Sequence, residues 1–490
     1  MARDLGKPAA LRSADSIARW NDEADVVVVG YGGAGAAAAI AARAAGADVL
    51  LLERAGGGGG TTALSTGQIY LGGGTPIQTA CGIEDSPEAM CAYLLASCGP
   101  GADEAKIRLF AAESVAHFHW LVAQGVPFKA SYYGEGSYTP TDDCLSYSGS
   151  ELAWPYRELA RPAPRGHTVQ QAGIEAGGML MRALTAATER SGARIRTDTL
   201  CETLVVDGAR RVAGVVARVD GREACYRARG GVVLAAGGFI NNKAMVERYA
   251  PLLRKCRFRA GCDGDDGRGI RMGMAAGGAA IRMDVGCIVL PFTVPKQLVK
   301  GILVNRRGAR FIAEDLYQTV VGEAALLREN GEVFLIADNA VFARPFPETE
   351  IAAVEETVAD LERTLAFPDG SLQQTMAFYN AHAARGEDPL FRKHPDNLVP
   401  LVHPPFAALD YTTAKALYTV FTLGGLHTTP EGEVLNPDGD PVSGLYAAGR
   451  TTSGLAAQGY SSGLSIADAT FFGRRAGRAA AARARHSVGG

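Results

Sequence analysis

The chain opens on a hydrophobic run without alternation. Residues 25–30 read DVVVVG, and residues 48–53 repeat the form as DVLLLE. Unbroken aliphatic runs of this length predict strands buried on both faces, as in a parallel sheet. The Ala-rich stretch between them predicts a helix over 33–45, stopped by Gly46. Strand, helix and strand make a βαβ unit. Further on, Leu109, Phe110, Val115, Phe118 and Leu121 recur near helical spacing, so a helix is expected over 103–125. Others are expected over 173–190 and 465–485. Five strands are expected between 194 and 236: IRTDT, CETLVVD, VAGVVAR, ACYRARG and GVVLAAG. Residues 131–168 are rich in Tyr, Ser, Pro and Gly without a period, and read as a long surface loop near a ligand.

The pattern changes character near residue 286 and returns to strand and turn signals at 417. This predicts an inserted second domain over 286–416, between the two parts of a first domain, 1–285 and 417–490. A length of 490 residues agrees with more than one unit.

Charge and composition then narrow the function. The formal net charge is -3, which lacks the basic footprint of a nucleic-acid partner. Nine scattered cysteines with no CxxC pair fit reduced thiols, not a disulfide frame or zinc site. The first twenty residues lack the apolar run of a signal peptide, and no stretch is apolar enough for a transmembrane helix. A cytoplasmic protein is expected. The 61 glycines cluster at 56–60, 72–74, 230–238 and 264–278, where backbone would approach a ligand or turn tightly.

One cluster carries chemistry. Gly30, Gly32, Gly33, Ala34 and Gly35 lie in GYGGAG, after a buried strand and at the start of a helix. In that context Gly30 allows the tight turn, Gly32 lets backbone approach a pyrophosphate, and Gly35 lets helix pack on strand. The helix N-terminus offers N–H donors to the phosphates. Glu53 ends the second strand, where a carboxylate accepts from a ribose hydroxyl. The motif does not separate NAD from FAD. Gly60, Thr61 and Thr62 follow as a second phosphate or flavin contact. Asp263, Asp265 and Asp266 lack calcium-loop spacing and read as a turn near the flavin.

These segments, with LLLERAGGGGGTT, VVLAAGGF, ILVNRRGARFIAED, TLGGL and GLYAAGRTTSG, resemble the fumarate reductase/succinate dehydrogenase flavoprotein superfamily along nearly the whole chain. The resemblance implies an α/β fold: a Rossmann-like, non-contiguous FAD-binding domain with an inserted α+β capping domain, and an active site between them. It adds Arg54, Ser65, Gly67, Ala236, Gly237, Gly449, Arg450, Gly463, Leu464 and Ser465 to the cofactor-binding set. No His follows Gly60 where membrane-bound relatives attach FAD, so noncovalent FAD is expected. No metal is expected.

The departures from that superfamily matter as much. Its histidine, its proton-donating arginine and its carboxylate-clamping HGxNR segment are replaced here by Phe421 and its neighbours, by Gln318, and by Ala456-Ala457-Gln458-Gly459-Tyr460. Arginine is the natural fork for carboxylates, so the expected substrate is uncharged and largely apolar. The ending GYSSGLSIADATFFGRRAG resembles the 3-ketosteroid dehydrogenase branch, most of all the Δ4-(5α) group. That resemblance implies roles: Tyr460 donates to a ketone, Ser462 takes a proton, and Tyr317 is its relay or itself the base. Three alternatives stand beside it: a Δ1-dehydrogenase, a soluble fumarate- or urocanate-reductase-like enzyme, and a non-catalytic flavin binder. The sequence names no electron acceptor.

Overall fold

The structure is a computed structural model that describes residues 10–488 apart from 137–139, 174, 293–294 and 345–346. Its centre is a nine-stranded mixed sheet. Asp22–Val29 pairs in parallel with Val49–Leu52, which pairs in parallel with Arg194–Arg196. All four valines of the first strand are buried, as an unbroken run predicts for a strand covered on both faces.

The other neighbour of that strand is Arg222–Leu234, thirteen residues long. The sequence pattern splits this stretch into two strands. It is one strand with a register shift between Ala228 and Gly231, and Gly231 sits at φ 155°. Such an irregularity lets one strand change partners. Its first half pairs antiparallel with Val212–Val219, and its second half pairs in parallel with Pro441–Ala447. The C-terminal part of the chain thereby enters the same sheet.

The helix Gly33–Ala44 packs against the final helix Leu464–Val488. Small residues make the approach close. A Cβ on Gly473 would lie 2.5 Å from the carbonyl oxygen of Ala34, and one on Gly477 would lie 2.1 Å from that of Ala38.

A second sheet is formed entirely by residues between 302 and 410. Ile302–Asn305, Val333–Asp338, Phe406–Asp410 and Ile351–Glu355 make four antiparallel strands. The helices Val358–Thr364 and Ser371–Ala383 supply Leu361, Leu372 and Met376 to its separate apolar core. Gly286–Val289 and Thr419–Thr422 pair with each other antiparallel.

Part of the segment 131–168 is not a surface loop. It contains the paired strands Leu145–Ser146 and Gly166–Thr168, and Ser148, Ser150, Glu151 and Arg165 are buried, while Tyr132, Leu152 and Leu159 are exposed. High polarity alone misreads the location of the buried stretches. Arg165 and Asp85 form a fully buried ion pair at 2.7 Å, the arrangement a buried charge requires.

Candidate active site

The cofactor-binding residues read from the sequence gather at the C-terminal ends of the parallel strands, where ligands bind in open α/β sheets. Gly30 ends the first strand at φ 103°, and a Cβ there would lie 2.4 Å from the carbonyl oxygen of Ala235. Gly35 is pressed closer, at 1.9 Å from the Gly30 oxygen. Gly32 differs from both. A Cβ on it would meet nothing nearer than 3.8 Å. Gly32 and Ala34 stand at the start of the first helix, with Gly59 O and Thr62 Oγ1 at ordinary contact distance from the Gly32 position.

The remaining segments close around that helix start through named bonds. Glu53 accepts the Tyr31 N–H at 2.7 Å and the Ala55 N–H at 2.8 Å, which fixes its carboxylate at the strand end. Gly33 N–H donates to Thr62 Oγ1 at 3.2 Å. The short helix Gly60–Ala63 is thus tied to the glycine turn. Ser65 Oγ donates to the Thr62 carbonyl and accepts the Gly67 N–H, so both polar groups serve the turn.

Asp265 joins the far segments. It accepts from Thr61 Oγ1 at 2.7 Å, from Arg450 Nη2 at 2.6 Å and from Gly238 N–H at 3.0 Å. A Cβ on Gly237, next to Ala236, would lie 2.2 Å from Asp265 Oδ1. Arg54 reaches the neighbouring Asp266 at 3.2 Å. The run GDGDDGRG predicts a turn near the cofactor. It does not show that its middle acid binds three other segments at once.

A small cleft opens beside Arg450, lined among others by Gly449, Leu455, Leu464, Ser465 and Asp468. Arg450 Nη1 is buried without a hydrogen-bond partner. Burial of an unpaired donor is costly, and such an atom beside open space suits an acceptor-rich ligand. With the glycine turn and the strand-end carboxylate, these residues fit a dinucleotide.

The family whose description is FAD binding domain matches residues 25–464. The chain belongs to this FAD-binding family. FAD is its cofactor. Two relatives align along nearly their full length. The 3-oxo-5-alpha-steroid 4-dehydrogenase of Comamonas testosteroni is 31% identical, over 91% of this chain and 96% of its own. A solved 3-ketosteroid-delta4-(5alpha)-dehydrogenase from Rhodococcus jostii RHA1, in complex with 4-androstene-3,17-dione, is 47% identical. It covers 96% of this chain and 99% of its own, with a TM-score of 0.92. An open flavocytochrome c3 fumarate reductase is more distant: 26% identical, TM-score 0.66, covering 95% of this chain and 79% of its own.

In this FAD-binding chain the cleft continues to Tyr460. Tyr460 Oη accepts the Ser465 N–H at 3.2 Å, at the start of the final helix where Gly463 and Leu464 make the turn. A phenol that accepts one bond keeps its own proton to donate elsewhere. Burial raises the Tyr460 phenol above its ordinary range, so it stays protonated. The Phe421 ring meets Tyr460 edge-on at 5.4 Å. Cys287, Leu423 and Ala456 form one apolar cluster against it. The stretch where fumarate reductases carry charged groups is therefore a hydrophobic wall.

Tyr317 is buried at the N-cap of the helix Gln318–Leu327. Two residues later, Thr319 Oγ1 donates to the Tyr460 carbonyl at 2.8 Å. Ser462 is half-buried, and its N–H donates to the Ser148 carbonyl at 2.7 Å. The helix cap and the 460–462 loop, far apart in sequence, are thus neighbours. His427, a tempting base by residue type, lies after the strand Gly425–Leu426, and its backbone N–H donates to Ala279.

Proposed function

We propose that this chain dehydrogenates a saturated 5α-3-ketosteroid, forming a double bond between carbons 4 and 5. The observation that carries the reading is the Tyr460 phenol, held by a backbone N–H against an apolar wall. Similarity to two 4-dehydrogenases along almost the whole chain supports it.

The reaction removes a proton from carbon 4 and a hydride from carbon 5. The electron pair of the C4–H bond becomes the new π bond. Bound FAD supplies the hydride acceptor. Tyr460 donates to the 3-ketone, which makes the adjacent C4–H acidic and stabilises the developing enolate by a few kcal/mol. Ser462 takes the C4 proton and Tyr317 relays it onward. Phe421, Leu423 and Ala456 give the steroid an apolar bed and leave a dicarboxylate without a clamp. The segment 286–416 is the cap that carries Tyr317 to the site.

The test is anaerobic mixing of the yellow protein with a saturated 5α-3-ketosteroid. Flavin bleaching, with a conjugated enone appearing, is expected. Bleaching only with a 4-ene-3-ketosteroid would move the chemistry to carbons 1 and 2 and overturn the reading. Among the described residues no helix is long and apolar enough to cross a membrane, and we place the enzyme in the cytoplasm.

A further inference from the structure

The residues 148–151 carry no role in the chemistry just described, yet they touch both of its halves. Ser150 Oγ accepts the backbone N–H of Tyr317 at 2.9 Å. The N–H of the same Ser150 donates to Tyr93 Oη at 2.8 Å. Tyr93 Oη lies 2.9 Å from Ser461 Oγ. The Ser148 carbonyl accepts the Ser462 N–H at 2.7 Å. Four bonds thus run from one proposed proton carrier to the other through a single turn.

The turn has little freedom to move. A Cβ on Gly149 would lie 2.1 Å from Tyr93 Oη and 2.3 Å from Ser461 Oγ, so the backbone is pressed against the serine loop. Glu151 anchors the turn from within: it accepts the Gly149 N–H at 2.8 Å and the Tyr70 hydroxyl at 3.3 Å. The rings of Tyr70 and Tyr93 stack at 6.2 Å, and the Arg165 guanidinium lies 5.5 Å from the Tyr93 ring. Ser148, Ser150, Glu151, Tyr70 and Tyr93 are all buried. Buried hydrogen bonds of this kind fix geometry because breaking one strands a donor or an acceptor.

We infer that the turn 148–151, backed by Tyr93, is a positioning device that sets Tyr317 against Ser462. This rests on the roles proposed above for those two residues. Ser150 and Tyr93 are positioning residues, since they act through the backbone of Tyr317 and through Ser461. The turn adds to the direct Thr319–Tyr460 bond a second link between the helix cap and the distant loop, and it bonds the backbone of Tyr317 and of Ser462 themselves. Misplacement of reacting groups by about 1 Å costs on the order of a hundredfold in rate.

The experiment compares Ser150→Ala and Tyr93→Phe with the wild-type holoenzyme. Stopped-flow titration with a saturated 5α-3-ketosteroid reads the flavin reduction rate and the steroid dissociation constant separately. We expect a reduction rate lower by roughly tenfold to a hundredfold, with steroid affinity, FAD content and flavin spectrum unchanged. The double variant should lose little more than the worse single variant, because both cut one chain of contacts. Wild-type rates in both single variants would overturn the proposal, as would a loss confined to steroid affinity. A crystal structure of Ser150→Ala supplies a reading independent of any substrate. Tyr317 displaced from Ser462 supports the device, and Tyr317 unmoved overturns it. If the wild type itself fails to bleach, the steroid reading falls, and this crystal structure alone then decides the positioning claim.

Discussion

Tyr460 carries two hydrogen-bonding tasks on one oxygen. It accepts from the Ser465 N–H, and its own proton remains for a ketone. Tyr460→Phe removes the second task and leaves the glycine turns untouched. Turnover should fall by about a hundredfold or more while the purified protein stays yellow. Full activity in that variant would remove Tyr460 from the chemistry.

Glu323 makes a second residue-scale statement. It lies one helical turn beyond Thr319, and burial pushes its carboxyl from 4.5 up to about 7. The folded value is raised, so the charged form is penalised only in the folded protein. The penalty is absent below about 4.5, grows as pH rises from there to about 7, and is constant above that. Glu323→Gln cannot ionise. It should therefore match the wild type in thermal stability near pH 4.5 and exceed it above pH 7. A constant difference across that range would contradict this environment for Glu323.

At the scale of elements, the strongest constraint is the crossing of the first and last helices. The carbonyls of Ala34 and Ala38 occupy the space where side chains at Gly473 and Gly477 would stand. Gly477→Val forces the helices apart and should cost about 1–3 kcal/mol, seen as a lower denaturation midpoint. The same crossing holds the start of the final helix, and so Ser465, beside the cleft. Local pattern revealed both helices, because Ala-rich and amphipathic stretches announce themselves. It did not reveal that they touch. Nor did it show that Arg222–Leu234 is one strand, because the paired glycines at its centre look like a break until two different partners are present to bridge.

At the scale of the molecule, binding of FAD and stability are linked. The cofactor site draws on the glycine turn, the Gly60–Ala63 helix, Asp265 and Arg450, segments spread over most of the chain. A ligand that binds only the folded state stabilises it by about 2.7 kcal/mol at a hundredfold excess over Kd. Added FAD should raise the melting temperature of cofactor-stripped wild type. Gly32→Val puts a branched side chain into the glycine turn before the helix N-terminus. It should yield colourless protein whose melting temperature does not respond to FAD. A yellow Gly32→Val protein would place the pyrophosphate elsewhere.

The sequence by itself determined the βαβ unit, the glycine turn, the strand-end Glu53 and the uncharged stretch Ala456–Tyr460. Each of these is written within a few dozen residues or in a motif, and backbone periodicity and residue type suffice to read it. Tertiary structure alone decided that residues 144–146 and 163–168 are buried, that Asp265 ties Thr61 to Arg450, and that Ser150 links Tyr93 to Tyr317. Ser150 is 167 residues from Tyr317, and Tyr93 is 368 from Ser461. A hydrogen bond across such a separation leaves no periodic trace in the chain. It exists only once the sheet and its inserted segment have brought the partners within 3 Å of each other.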